Sequence, residues 1–219
     1  MLRLLFSKTG NAVWISHLDT MRLFQRAFKR CGLHLKHTQG FNPRPSVSIA
    51  MPLSVGVESE CELLDFELDN QELPCQQIKE LLNQSLVSGI EVLDVYADGR
   101  KIKELELLKC RLELEYDLPA QADAAEQIQK LFERESIFLD KKGKNGMVRQ
   151  DIIPMIKKLS VCRADDHLLR LDTVICCQNP SLNPNQLGAA IREYLPHLSP
   201  DFIKCRRLEV YNGNHEIFR

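Results

Sequence analysis

Residues 16–32 read SHLDTMRLFQRAFKRCG. Leu18, Met21, Phe24, Ala27, Phe28 and Cys31 recur at helical spacing and predict one buried face of an amphipathic helix. Ser16 is positioned as an N-cap, and Asp19 three residues later completes a start resembling a capping box. Gly32 is a natural C-terminal stop. On the remaining surface Arg22, Arg26, Lys29 and Arg30 lie three or four apart and share a face. What flanks this helix decides the fold.

Upstream, Leu2–Ile15 reads as a strand or hairpin turning at Thr9-Gly10-Asn11. Downstream, Leu33–His37 and Val47–Leu53 are short extended pieces, and Cys61–Leu68 alternates as a half-buried strand does. Pro74–Leu86 is a second amphipathic helix, stopped near Gly89, and Ile90–Tyr96 is a closing strand. The order is β-α-β-β-α-β. The second half repeats it approximately. Cys110–Leu118, Ser136–Leu139, Lys157–Cys162, Leu168–Cys176 and Phe202–Tyr211 are extended, and Gln121–Glu135 and Asn183–Leu195 are helical, with Pro184 suited to a first turn. The expected fold is α+β: two tandem ferredoxin-like (βαββαβ) units with antiparallel sheets, residues 1–98 and 110–219, joined by a charged linker at 99–109. A chain of 219 residues is long enough for two small domains.

Charge is unevenly distributed. Residues 1–50 hold eight Lys/Arg and one acid, Asp19, whereas residues 51–100 hold eleven Asp/Glu and two bases, Lys79 and Arg100. The net charge of -1 hides this contrast. The cations of the first helix have no alternating acids beside them and form a rail suited to phosphate. In residues 39–45, QGFNPRP, two prolines stiffen the chain and restrict the residues before them. That loop presents Phe41, Asn42 and Arg44 for stacking and hydrogen bonding to a base. His17 and Asp19, at the helix start, are the candidates for acid–base chemistry, with capping as the plainer role of Asp19. Glu58, Glu62 and Asp65 form a sparse carboxylate set for a divalent cation, although pairing of Glu60 and Glu62 with the basic helix accounts for the same pattern. The basic turn Lys141–Gly146 reads as an exposed hairpin tip that touches nucleic-acid backbone or simply faces solvent.

Eight cysteines are scattered without a Cys-x-x-Cys pair, and adjacent Cys176 and Cys177 face opposite sides of a strand. They read as reduced thiols of a cytoplasmic protein, without a metal or other cofactor. No apolar run reaches the roughly 18–20 residues that cross a bilayer, and the N-terminus lacks a signal-peptide pattern. Nucleotide-binding, hydrolase-elbow and zinc-protease motifs are absent from the sequence.

SHLDTMRLFQRAFKRCGL together with QGFNPRPSVSIAMPLSVGVESECELLDFEL resembles the bacterial radical SAM-linked protein family, a domain of unknown function found fused to or encoded beside radical SAM proteins. The resemblance is close over residues 1 to about 70, and weaker at Gln150–Pro154. His17, Asp19, Arg26, Arg30, Phe41, Asn42, Pro43, Glu58, Ser59, Glu62 and Asp65 match its motif positions. Arg44 stands where the family often has His, and Ile153 where it often has Arg. Without a cluster-binding cysteine triad, the chain resembles the companion of the radical enzyme. The resemblance implies a radical SAM partner, and the basic helix with the Phe41–Arg44 loop makes RNA (tRNA or rRNA) the expected substrate of that partner. Two alternatives remain: an RNA-processing or RNA-modifying enzyme using His17 as base, and a protein-binding adaptor docking through the acidic 58–72 face.

Overall fold

A computed structural model describes residues 1–69, 72–143 and 146–219. The chain forms two compact units, residues 1–102 with Arg219, and residues 103–218. The class is α+β, with four α-helices among the described residues.

The first unit runs β1 (Leu2–Lys8), α1 (His17–Arg30), β2 (Val47–Ile49), β3 (Val57–Phe66), α2 (Cys75–Ser85) and β4 (Ile90–Ala97). Its strands lie in the order β4-β1-β3-β2, and each neighbouring pair is antiparallel. Central strand β1 buries Leu4, Leu5 and Phe6, together with the charged Arg3 and Lys8. Phe24 and Phe28 of α1 reach the sheet, where Phe6 meets Phe24 edge-on at 4.7 Å and Phe28 meets Phe66 at 4.9 Å. Ile78 and Leu82 bring α2 onto the same core. Each such side chain contributes roughly 1.5–3 kcal/mol by leaving water.

Three local expectations differ. The Leu2–Ile15 segment is not a hairpin: β1 ends at Lys8, and Gly10–Trp14 forms a 3-10 helix entered through Gly10 at φ +56. Both edges of β1 already pair, with β3 and β4, so no returning strand fits beside it. Leu18 is 64% exposed, and Thr20 is buried in its place. Leu18 lies four residues before Arg22 and so heads the cationic stripe, while Thr20 lies four before Phe24. In β3, Cys61 through Leu64 are buried consecutively, so the strand is covered on both faces where alternation predicted one.

The second unit runs β5 (Leu105–Glu115), α3 (Ala124–Phe132), β6 (Phe138–Gly143), β7 (Gly146–Asp151), β8 (Ile156–Asp165), β9 (Leu168–Cys176), α4 (Asn185–Tyr194) and β10 (Phe202–Asn212). Residues 105–109, read as linker, begin β5, where Leu105, Leu107 and Leu108 are buried. The strand order is β10-β5-β9-β8, again antiparallel. Ile128 and Leu131 of α3 and Leu187 and Ile191 of α4 are fully or almost fully buried. Among the described residues β6 and β7 pair only with each other, as a two-stranded ribbon. Lys144 and Asn145 of the expected basic turn lie outside the described residues.

Candidate functional site

Helix α1 starts as its sequence dictates. The Asp19 N–H donates to the Ser16 hydroxyl at 3.2 Å, and that hydroxyl donates to the Asp19 carboxylate at 2.7 Å. Arg22 donates to the other Asp19 oxygen at 2.9 Å. The Ser16 hydrogen bond, and after it Arg22, holds the Asp19 carboxyl below the usual carboxylate range. Asp19 is thus engaged in capping and in neutralising Arg22, the pairing that the sequence pattern did not reveal.

The four cations of the rail are all exposed, but they differ in engagement. Arg30 donates to the Ser85 carbonyl at 2.6 Å, at the end of α2, where a cation suits both the unpaired carbonyl and the helix dipole. Arg26 and Lys29 make no hydrogen bond or ion pair among the described residues. They are the part of the rail available to a ligand.

The loop that follows is closed on itself. The Thr38 N–H donates to the Arg44 carbonyl at 2.8 Å, and the Arg44 N–H donates to the Thr38 hydroxyl at 3.1 Å. A bridge between His37 and Pro45 seals the neck. Phe41 at the tip is fully exposed, and Asn42 and Arg44 are exposed beside it. Among the described residues no hydrogen bond or ion pair joins these three side chains to the cations of α1.

The carboxylates do not assemble as a ligand set. Glu58 accepts from the Gly10 N–H at 3.2 Å, buried Glu62 accepts from Ser59 at 2.7 Å, and Asp65 takes a two-pronged bond from Arg3 at 2.6 and 3.1 Å. Glu62 and Asp65, three apart along a strand, face opposite sides. Among the described residues no group of three or more His, Cys, Asp or Glu is placed to hold a metal ion. Among the described residues no ion pair joins these acids to the cations of α1: Asp65 serves Arg3, and Glu67 serves Lys36 at 3.0 Å. Glu60 is exposed.

The reading of the sequence missed a buried polar cluster under the start of α1. Lys8 is 1% exposed and donates to the Val13 and Ile15 carbonyls at 3.3 and 2.5 Å. It thereby fixes the turn that delivers Ser16 to its capping position. Lys8, His17, Thr20 and Glu62 line a cavity of about 10 Å³. Such a space holds nothing larger than a water molecule. The two-residue period of β1, which sets Lys8 on the face of Leu4 and Phe6, was the available signal.

The second unit adds open grooves rather than a closed site. One of about 510 Å³ is lined by Tyr116, Leu118, His197 and Asp201. Burial, with Asp201 nearby, pushes the Tyr116 phenol up to about 12, and its hydroxyl donates to the Leu198 carbonyl at 2.9 Å. All eight cysteines are free thiols. Burial pushes Cys177 up to about 12, so it stays a protonated, unreactive thiol at neutral pH. No described helix is long and apolar enough to cross a membrane.

A family described as "Uncharacterized protein conserved in bacteria (DUF2344)" matches residues 1–184. No curated protein matches the chain. A solved structure titled "Crystal Structure of an Unknown Protein from Galdieria sulphuraria" aligns with 94% of this chain and 96% of its own, at 9% identity and a TM-score of 0.27. A likeness of that size carries no argument about fold or function.

Proposed function

This chain belongs to the bacterial family DUF2344, and we propose that it is an accessory protein that binds RNA on its first unit for modification by a partner radical SAM enzyme. The partner comes from the sequence resemblance alone. The RNA reading rests on one observation: Arg26 and Lys29 are exposed on α1 with no ion pair among the described residues. Cations left unneutralised on a fixed helix face attract a polyanion, and the exposed Phe41 offers a surface on which a base stacks. The strand orders β4-β1-β3-β2 and β10-β5-β9-β8, each with two helices, support reading both units as ferredoxin-like, the second with a ribbon inserted. That architecture hosts many functions and adds no argument for RNA by itself.

The test is charge reversal on the full chain. Arg26→Glu with Lys29→Glu should weaken binding of bulk tRNA by about tenfold or more and flatten the salt dependence by roughly 0.7 of a log unit per cation removed. Circular dichroism checks that the variant folds. Equal tRNA binding by wild type and folded variant would discard the reading, as would wild type that binds no RNA in the presence of its partner.

A further inference from the structure

In the first unit, the stretch between α1 and β2 carries the closed Thr38–Arg44 loop. In the second unit, the stretch between α3 and β8 carries the β6-β7 ribbon. Both outgrowths leave their unit at the same topological corner, after its first helix and before its second sheet strand. Both also present an aromatic and an arginine. In the loop these are Phe41 and Arg44. In the ribbon, the Arg149 guanidinium lies 5.4 Å from the centre of the Phe138 ring.

The ribbon is firmly rooted and open beyond its root. Ile137 and Leu139 are buried in the unit's core. The Tyr194 hydroxyl accepts from the Phe138 N–H at 3.2 Å and donates to the Phe138 carbonyl at 3.0 Å. Asp151 accepts from the Ile137 and Ile153 N–H groups at 2.9 and 3.2 Å. Beyond this root Lys141 and Arg149 are exposed, as are Met147 at 66% and Val148 at 55%. Asp140 faces Arg149 across the ribbon, yet among the described residues the two form no ion pair. Arg149 is therefore held by the ring and not by a carboxylate, with its charge unspent.

We infer that the β6-β7 ribbon is a second RNA-contacting element, built for single-stranded segments. The Phe138–Arg149 pair offers a flat, cationic platform for an unstacked base, and Lys141, opposite Val148 on the other face of the ribbon, adds a charge for the backbone of the same strand. A two-stranded ribbon with a fixed base and exposed cationic and apolar side chains suits a polyanion that carries planar rings. This inference rests on the RNA reading proposed above.

The full-length protein and three variants, Arg149→Ala, Lys141→Glu and Phe138→Ala, are titrated with end-labelled oligo(U) and with labelled bulk tRNA by fluorescence anisotropy. Arg26→Glu serves as the first-unit control. Arg149→Ala and Phe138→Ala should each weaken oligo(U) binding about five- to tenfold. Arg149→Ala should also flatten the salt dependence by roughly 0.7 of a log unit, and Lys141→Glu by at least that much, whereas Phe138→Ala leaves the slope unchanged. Lys141 and Arg149 are exposed, so their variants keep the test valid should Phe138→Ala misfold. If the ribbon variants bind like wild type while Arg26→Glu binds weakly, the ribbon inference fails and the first-unit reading stands. If wild type binds neither RNA, both fail together. Loss of a polypeptide partner by ribbon variants that retain full RNA affinity would make the ribbon a protein-docking element and overturn the inference.

Discussion

At the scale of single residues, side chains that look alike in sequence separate by what they touch. Arg22 and Arg30 are held by Asp19 and by the Ser85 carbonyl, whereas Arg26 and Lys29 have no hydrogen bond or ion pair among the described residues. Sequence spacing placed all four on one face correctly but could not rank them, because the Ser85 carbonyl comes from another helix. Ser16 was fully legible: its hydroxyl caps α1. Ser16→Ala should lower stability by about 1 kcal/mol, read from the urea midpoint. Tyr116 gives a pH prediction. Its pKa is raised to about 12 in the folded protein, against about 10 in an unfolded chain. Its contribution is therefore fully present below about pH 10 and is lost as pH rises through about 12. Tyr116→Phe should cost about 1 kcal/mol at neutral pH and should remove this alkaline loss, monitored by unfolding curves across that range.

At the scale of elements, α1 depends on the turn before it as much as on its own periodicity. Lys8 satisfies two carbonyls of that turn from inside the fold. Lys8→Met keeps the length of the side chain but removes the donor to the Ile15 carbonyl, whereas the Val13 carbonyl keeps the Gly56 N–H at 2.9 Å. Stability should fall by about 2 kcal/mol, measured by chemical denaturation. The 3-10 helix at Gly10–Trp14 was hidden from the sequence because its apolar residues also fit a strand, and only the pairing of both β1 edges excludes that reading. The β6-β7 ribbon was half legible. Its first strand stood out, but the exposed β7 carries no buried stripe to mark it as an element. By contrast Leu168–Cys176 was read to the residue, since a continuous alternation over a buried strand leaves little freedom.

At the scale of the whole chain, the element order of both halves was visible in periodicity, whereas the candidate site was visible only as composition. Basic and acidic blocks adjacent in sequence suggested mutual neutralisation on α1. Asp65 and Glu67 instead serve Arg3 and Lys36, a choice made for Asp65 by sheet register and not by sequence distance. With a net charge of -1 and a pI near 6.6, the protein as a whole has little attraction for a polyanion, so any RNA affinity must come from local cations. The wild-type protein should then show a log–log salt slope of roughly −3 for single-stranded RNA, as about four contacts predict. A flat salt response measured by filter binding would contradict that.

The clasp between Thr38 and Arg44 means that residues 39–43 begin and end at one point of the scaffold. Their length and content are thereby decoupled from the strand that follows, since lengthening a flexible loop adds only about 0.6 kcal/mol per doubling. The corner acts as a socket: recognition there is exchangeable cargo, and a different five-residue insert would retarget the protein without disturbing the frame that displays it.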